Sequence, residues 1–266
     1  MALLILAVGV GLNTTVFSLV NTVLLRPVPF AHAERLVWIT NGDPAHPSND
    51  LSNIASQVDT WEGLSATSRT LEQIEAYDPF SVRQTYRLTG VGDPETIVSI
   101  SVSHRLFGLL GMKPLLGRLF LPEDGEKNAP YRVIFSHQLW RRLGADPSII
   151  GRTTRINGET VEIVGVLPPA DPFTSVFFPA VRVDVFQALR PDVERNWGNT
   201  VALIARAKPD VAPGAIAADL TLAVAQLKRQ YPDRNQYFFA NVTPLHDWVA
   251  GSHNSRAYGW GFVRSF

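Results

Sequence analysis

The chain contains no cysteine among its 266 residues. This absence excludes disulfide bonds, thiolate zinc sites, iron–sulfur clusters and cysteine nucleophiles. Charge of one sign is not in excess either, since 24 Lys and Arg residues balance 24 Asp and Glu residues. A protein that binds nucleic acid through its phosphates needs a surplus of basic residues to release counterions. The composition therefore argues against a nucleic-acid partner.

Motifs that carry catalysis or hold a cofactor are also missing. The sequence has no GxxxxGK[ST] phosphate loop, no GxSxG nucleophile elbow and no HExxH zinc motif. The acidic run 123–126 lacks the alternating oxygen ligands of a calcium loop and is expected to be a solvated turn. The six histidines are expected to be surface or capping residues. We therefore predict no catalytic residue, no cofactor and no metal site, and we expect that the protein is not an enzyme.

The first 25 residues carry none of the 48 charged side chains. Residues 2–25 form an uncharged run that would extend about 36 Å as a helix, enough to cross a hydrocarbon core of roughly 30 Å. A cleaved signal peptide is one alternative, but no basic residue precedes the run, the run is long, and no small-residue cleavage site follows it. A buried soluble helix is the other. The sequence predicts a transmembrane helix over residues 1–26.

Small and polar residues recur along this helix at steps of three or four. They form a stripe on one side, made of Ala7, Gly11, Thr14, Ser18 and Asn21. Small side chains let membrane helices approach closely, and hydroxyl and amide groups form hydrogen bonds between them. We therefore predict that this stripe packs against other membrane helices. The alternative is that such residues are merely tolerated in a membrane span.

The remaining sequence predicts a mixed body of the α+β class. Asn157-Gly158 between the β-rich runs 153–156 and 159–167 is typical of a type I′ hairpin. Pro213 begins an amphipathic helix that is predicted to extend to Tyr231. Ser103 and Ser136 are predicted to cap two shorter helices. A further helix is expected over 51–64, and other strands near 35–40, 95–102, 131–135, 200–207 and 237–243. Most of the six tryptophans are expected to lie in the core.

Five segments, taken in order, resemble one protein family. They are GVGLNTTVFSLVNTVLLRPVPF (9–30), VSHRLFGLLGMKPLLGRLFLPED (102–124), VIFSHQLWRRLGADPSIIGRTTRINGETVEIVGVLPP (133–169), LKRQYPDRN (227–235) and VTPLHDWVAG (242–251). The first resembles the first membrane helix of MacB-type ABC transporter permeases of the FtsX-like superfamily, especially orphan permeases of acidobacterial type. The others resemble the MacB-like periplasmic core domain of that family.

The resemblance implies a division of the chain into three parts. Residues 1–26 would be the transmembrane helix, residues 27–250 the periplasmic core domain with an inserted subdomain near 103–167, and residues 251–266 a divergent tail. The family continues with three more spans, whereas the tail has no apolar run. We therefore expect a truncated member, whose body lies in the periplasm and whose single span lies in the bacterial inner membrane. The positive-inside rule by itself favours a cytoplasmic body, because Arg26 and Arg35 follow the span.

The resemblance also implies a non-catalytic function. The periplasmic domain of such permeases relays motion between membrane helices and extracytoplasmic partners or substrate in efflux-type transport, and a separate ATPase subunit supplies energy. The implied partners are the membrane, the other transmembrane helices of a permease, that ATPase and, as a further expectation, a second copy of the chain. The alternatives are a membrane-anchored enzyme and a secreted binding module with a cleaved leader.

Overall fold

The computed structural model of the protein describes residues 28–42, 54–179, 181–231 and 238–250. The predicted span 1–26 and its stripe lie outside these residues, as does the tail 251–266. Within the described ranges, no helix is both long enough and apolar enough to cross a membrane. The membrane helix and its packing stripe therefore stay predictions.

The described chain folds into eleven strands and seven α-helices. The strands are β1 (Leu36–Asn41), β2 (Leu71–Tyr77), β3 (Thr85–Thr89), β4 (Glu95–Val102), β5 (Leu116–Gly117), β6 (Tyr131–Phe135), β7 (Thr153–Ile156), β8 (Glu159–Val166), β9 (Val185–Ala188), β10 (Ala202–Ala207) and β11 (Ala240–Pro244). The helices are α1 (Val58–Thr67), α2 (Leu106–Leu109), α3 (His137–Arg142), α4 (Pro172–Phe177), α5 (Pro191–Glu194), α6 (Pro213–Gln230) and α7 (Leu245–Ala250).

Four strands form an open antiparallel sheet in the order β11-β1-β10-β2. Alternate residues of a strand face opposite sides of a sheet. Accordingly, Val37 and Ile39 of β1 face a core that includes apolar residues of α1 and α6, whereas Leu36 and Trp38 face a second core on the other side. The sheet is therefore buried on both faces.

Six strands close into a ring in the order β4-β3-β7-β8-β6-β9, because β9 pairs back onto β4. The β4–β9 and β6–β8 pairs are parallel, and the other four are antiparallel. Val133 and Phe135 of β6 belong to an apolar cluster confined to the ring and the segments around it. Ile134 between them belongs to the same core as Trp38. The ring and the open sheet thus share one core.

Several local predictions are confirmed. Strands β7 and β8 form the predicted hairpin, with φ of 51° at Asn157 and 89° at Gly158, the positive values that a type I′ turn requires. Ser136 caps α3, accepting a hydrogen bond from the Leu139 backbone nitrogen at 3.2 Å. Helix α6 begins at Pro213 as predicted and ends one residue before Tyr231. The mixed α and β composition of the body is confirmed.

Two local predictions are wrong. Ser103 does not cap a helix, because Arg105 takes the cap position of α2 and the Ser103 hydroxyl is bound to strand β2. The helix predicted over 51–64 is observed at Val58–Thr67 instead. Its start is displaced because Ser56 is extended and forms a β-bridge with Val201.

The boundaries of the predicted subdomain near 103–167 stay a prediction. That range supplies β6, β7 and β8 to the ring, together with the short β5 that pairs with β8. The remaining ring strands, β3, β4 and β9, come from outside it.

Candidate coupling site

The two ends of the described body meet at Phe177, which contacts an aromatic side chain from each of them. Near the first described residue, Phe30 stacks on Phe177 with ring centroids 5.9 Å apart. In α7, the last described helix, Trp248 stacks on Trp38 of β1, with ring centroids 4.3 Å apart and an angle of 11° between the ring planes. Trp38 in turn stacks on Phe177 at 5.5 Å. The entering and leaving segments of the body therefore share the same aromatic contacts.

Helix α7 is held in this position by local sequence. Strand β11 ends at Pro244, which pairs with Val37 of β1, and α7 follows directly. Leu245 and Trp248, three positions apart and hence on one helix face, are almost completely buried. His246 and Asp247 lie on the exposed part of the helix. The amphipathic pattern thus fixes which side of α7 contacts the core.

Aromatic contacts continue from Trp38 to the ring of strands. Phe177 lies 5.1 Å from Phe173 in α4, and Phe173 lies 6.1 Å from Phe186 of β9. Phe107 of α2 contacts both Phe173 and Phe186 edge to face, at 5.8 and 5.2 Å. Ring centroids 4.5–7 Å apart are in the favourable range for aromatic pairs. These side chains form an unbroken path from α7 to the ring, which we call the aromatic path: Trp248, Trp38, Phe177, Phe173 and Phe186.

Helix α4 places two residues of this path. Asp171 caps the helix by accepting a hydrogen bond from the Thr174 backbone nitrogen at 2.8 Å, and Pro172 occupies the first helical position, where proline is favoured. Phe173 and Phe177 then fall four residues apart on the buried face. Burial raises the pKa of Asp171, against the opposing effect of its hydrogen bond from Thr174.

A polar joint supports the aromatic path where β2 meets β4. Tyr77 and Val102 are paired across these strands. Just beyond that pair, the Ser103 hydroxyl accepts a hydrogen bond from the Ala76 backbone nitrogen and donates one to Glu75 at 2.5 Å. Glu75 is only 3% exposed. Because a buried carboxylate is costly without donors, this joint fixes the geometry between the open sheet and the ring.

A second buried carboxylate closes the ring. Asp184, which precedes β9, is fully buried and accepts hydrogen bonds from the Val98 backbone nitrogen of β4 at 3.1 Å and from Arg142 of α3 at 2.8 Å. Arg142 also pairs with Glu95 at the start of β4. The parallel β4–β9 contact that completes the ring is therefore held by charge-assisted hydrogen bonds, which are stronger than neutral ones.

The acidic run 123–126 contains a third buried carboxylate, so its prediction as a solvated turn is wrong for Asp124. This side chain is fully buried and pairs with Arg118 at 2.6 Å and Arg132 at 2.7 Å. Burial by itself would raise the pKa of Asp124, but hydrogen bonds from Arg118 and the Leu121 backbone nitrogen hold that pKa below its usual value. The sequence offered one indication that Asp124 is paired, because Arg118 lies six residues before it and Arg132 lies eight residues after it.

The chemistry of these groups is structural. Glu75, Asp124 and Asp184 each accept hydrogen bonds from side chains or backbone that fix their orientation. Among the described residues, no group of three or more His, Asp or Glu side chains could hold a metal ion. The predicted stripe of the membrane helix cannot be placed relative to the site, since it lies outside those residues. What the arrangement offers is a packed connection between the two ends of the described body and the ring.

In this architecture both ends of the described body are joined through one core to a closed ring of strands. The family model of the MacB-like periplasmic core domain matches residues 1–223. The chain belongs to that family, which is a non-catalytic transporter domain. The protein is thus a periplasmic or extracellular domain of a MacB-type ABC transporter permease.

Solved structures show the same fold. A domain of a protein described as a permease from Porphyromonas gingivalis is similar with a TM-score of 0.58 and 15% identity, over 81% of this chain and 92% of that one. The periplasmic region of MacB from Actinobacillus actinomycetemcomitans has a TM-score of 0.56 and 13% identity, over 84% and 93%. The extracellular domain of the noncanonic ABC-type transporter YknZ from Gram-positive bacteria has a TM-score of 0.52 and 12% identity, over 77% and 99%. No curated protein sequence matches the chain.

Proposed function

We propose that the chain is a non-catalytic permease component whose body relays motion between membrane helices and extracytoplasmic partners or substrate in efflux-type transport. The observation that carries this proposal is the aromatic path. Movement applied at either end of the described body would reach Phe177, through Phe30 at one end and through Trp248 at the other. Close-packed interiors have low compressibility and transmit strain. The ring of strands would therefore move together with the membrane-proximal ends.

We further propose that the body lies on the periplasmic side of a bacterial inner membrane, with residues 1–26 as the single span of this chain. The uncharged run ends three residues before Val28, which packs into the same core as Trp38. The stripe from Ala7 to Asn21 would contact other permease helices, and energy would come from a separate ATPase subunit. A homodimer remains part of this proposal.

Fractionation and proteolysis test this placement. The full chain should sediment with the inner membrane, and protease added outside spheroplasts should digest the body while leaving a fragment near 1–26. A soluble cytoplasmic product, or a body protected from external protease, would contradict the proposal. An uncleaved Met1 in the mature protein would at the same time exclude a secreted module with a removed leader.

The relay itself is testable because the chain has no cysteine, so pairs of spin labels can be attached without a background. The labels are attached after two exposed residues, Arg155 on β7 and Ala217 on α6, are each changed to cysteine. They report the distance between the ring and helix α6. We expect one narrow distance distribution for the full chain in detergent, and a broader one after Trp248→Ala. The matched control is Leu222→Ala, which removes a side chain that is 71% exposed. A broad distribution before any core substitution would refute a rigid relay.

A further inference from the structure

A tryptophan projects into solvent on the crossing between β9 of the ring and β10 of the open sheet. Trp197 is 75% exposed, and Val193, four residues earlier on the same helical segment, is 46% exposed. We call residues 191–198, which include α5 and the following 3-10 turn, the Trp197 loop. Single exposed apolar residues are common on protein surfaces, but a tryptophan rarely presents most of its ring to water.

The Trp197 loop is anchored within its sequence and immediately before it. Within the loop, Arg195 pairs with Asp59 and Glu62, both on α1. Just before the loop, Arg190 lies 3.7 Å above the Tyr131 ring and donates a hydrogen bond to a backbone carbonyl in the 126–130 turn. Trp197 is therefore presented in a fixed position. A preorganised side chain loses little entropy when it binds.

Carboxylates outnumber cations near this exposed apolar pair. Asp192 and Glu194 lie on the loop itself, and Asp192 is close enough to Glu62 on α1 to act on its pKa. Burial is the main cause that raises the pKa of Glu62, and the negative charge of Asp192 raises it further. Burial is also the main cause that raises the pKa of Glu194 to about 7, with a smaller contribution from the charge of Asp78. Glu62 already pairs with Arg195, but that one cation does not balance the two carboxylates it binds on α1 together with Asp192. A second cation would be attracted to the remaining negative charge, and an anionic lipid surface would be repelled by it.

We propose that the Trp197 loop is a docking site for a segment of an extracytoplasmic protein that presents Lys or Arg beside an apolar side chain. Trp197 and Val193 would contact the apolar side chain, and Asp192 would face the cation. Tryptophan is among the residues that dominate interface energies, and a charged rim sets the choice and orientation of the partner. The inference rests on the proposed function because a relay needs such a partner.

The test uses the full chain in detergent and two fluorescent peptides, capped at both ends, with the sequences Leu-Lys-Leu-Arg-Leu-Lys and Leu-Glu-Leu-Glu-Leu-Glu. Fluorescence anisotropy should show saturable binding of the cationic peptide, weakened as salt rises because exposed charges are screened. Trp197→Ala should weaken that binding at least about tenfold, and Asp192→Asn about two- to fivefold. The matched controls Leu222→Ala and Glu159→Gln change exposed residues elsewhere and should leave it within about twofold of the starting value.

Three results would overturn this docking site. They are equal binding of the anionic peptide, no loss of affinity in Trp197→Ala, and Trp197-dependent binding to anionic phosphatidylglycerol vesicles without binding of the cationic peptide. Thermal unfolding of each variant establishes that it is folded. Failure of peptide binding leaves the membrane placement and the spin-label distances unaffected, so the two proposals fail separately.

Discussion

Replacing Trp248 tests whether the end of the body is part of the core. The side chain is 2% exposed and stacks on Trp38 at 4.3 Å. A buried tryptophan removes about 150–250 Å² from water, which at about 25 cal/mol per Å² corresponds to about 4–6 kcal/mol as an upper bound. Trp→Ala substitutions in cores cost about 3–5 kcal/mol. We expect Trp248→Ala to lower the free energy of unfolding by that amount.

Trp197→Ala is the matched control, since it deletes the same side chain from a position that is 75% exposed. Surface substitutions of this kind change stability by about 0.5 kcal/mol or less. Urea unfolding of the full chain in detergent, followed by far-UV circular dichroism, avoids reliance on tryptophan fluorescence. Trp248→Phe should retain part of the stacking on Trp38, so its loss in free energy of unfolding should lie between the losses of the two alanine variants. A loss below about 1 kcal/mol in Trp248→Ala, or an equal loss in both alanine variants, would refute the coupling site.

Three further predictions concern single groups. Asp184→Ala leaves the Val98 backbone amide without its acceptor and removes one of the two carboxylates of Arg142, so it should cost about 1–3 kcal/mol in urea unfolding. Arg182→Ala, at a 52% exposed partner, should cost under about 1 kcal/mol. Glu194 binds its proton more tightly when folded, because its pKa rises from 4.5 to about 7. Stability should therefore fall as pH rises from 4.5 to 7, and a Glu194→Gln variant with an unchanged slope would contradict this. Gly117→Ala should lower the melting temperature more than Gly151→Ala, since both have positive φ but only the Gly117 Cβ would meet a backbone oxygen, at 2.2 Å; equal losses would contradict this.

Local signals predicted elements whose causes are also local. Asn157-Gly158 specifies a turn because both residues adopt positive φ readily, and Ser136 caps α3 because its own side chain reaches a backbone nitrogen three residues on. The predicted cap at Ser103 had the same appearance. That prediction failed because the Ser103 hydroxyl donates its hydrogen bond to Glu75, 28 residues earlier in the chain. A cap residue and a strand-joining serine are indistinguishable until the partner strand is known.

Burial of the acidic run shows the same dependence on distant residues. Asp124 was expected in a solvated turn because four consecutive polar or small residues are typical of loops. Arg118 and Arg132 bind the carboxylate only because β5 and β6 both pair with β8. Likewise, Trp197 and Trp248 are residues of the same type, yet Trp197 is 75% exposed whereas Trp248 is 2% exposed.

The sequence by itself determined the longest helix, several of the strands, the hairpin, the family resemblance and the uncharged run at the start of the chain. These follow from side chains near one another in sequence, through turn geometry, capping and apolar periodicity. Only the tertiary structure decided that β9 closes the ring against β4, that three carboxylates are buried, and that both ends of the described body meet at Phe177. Such contacts join residues tens to hundreds of positions apart, so their energies depend on the whole packed arrangement and on no single stretch of sequence.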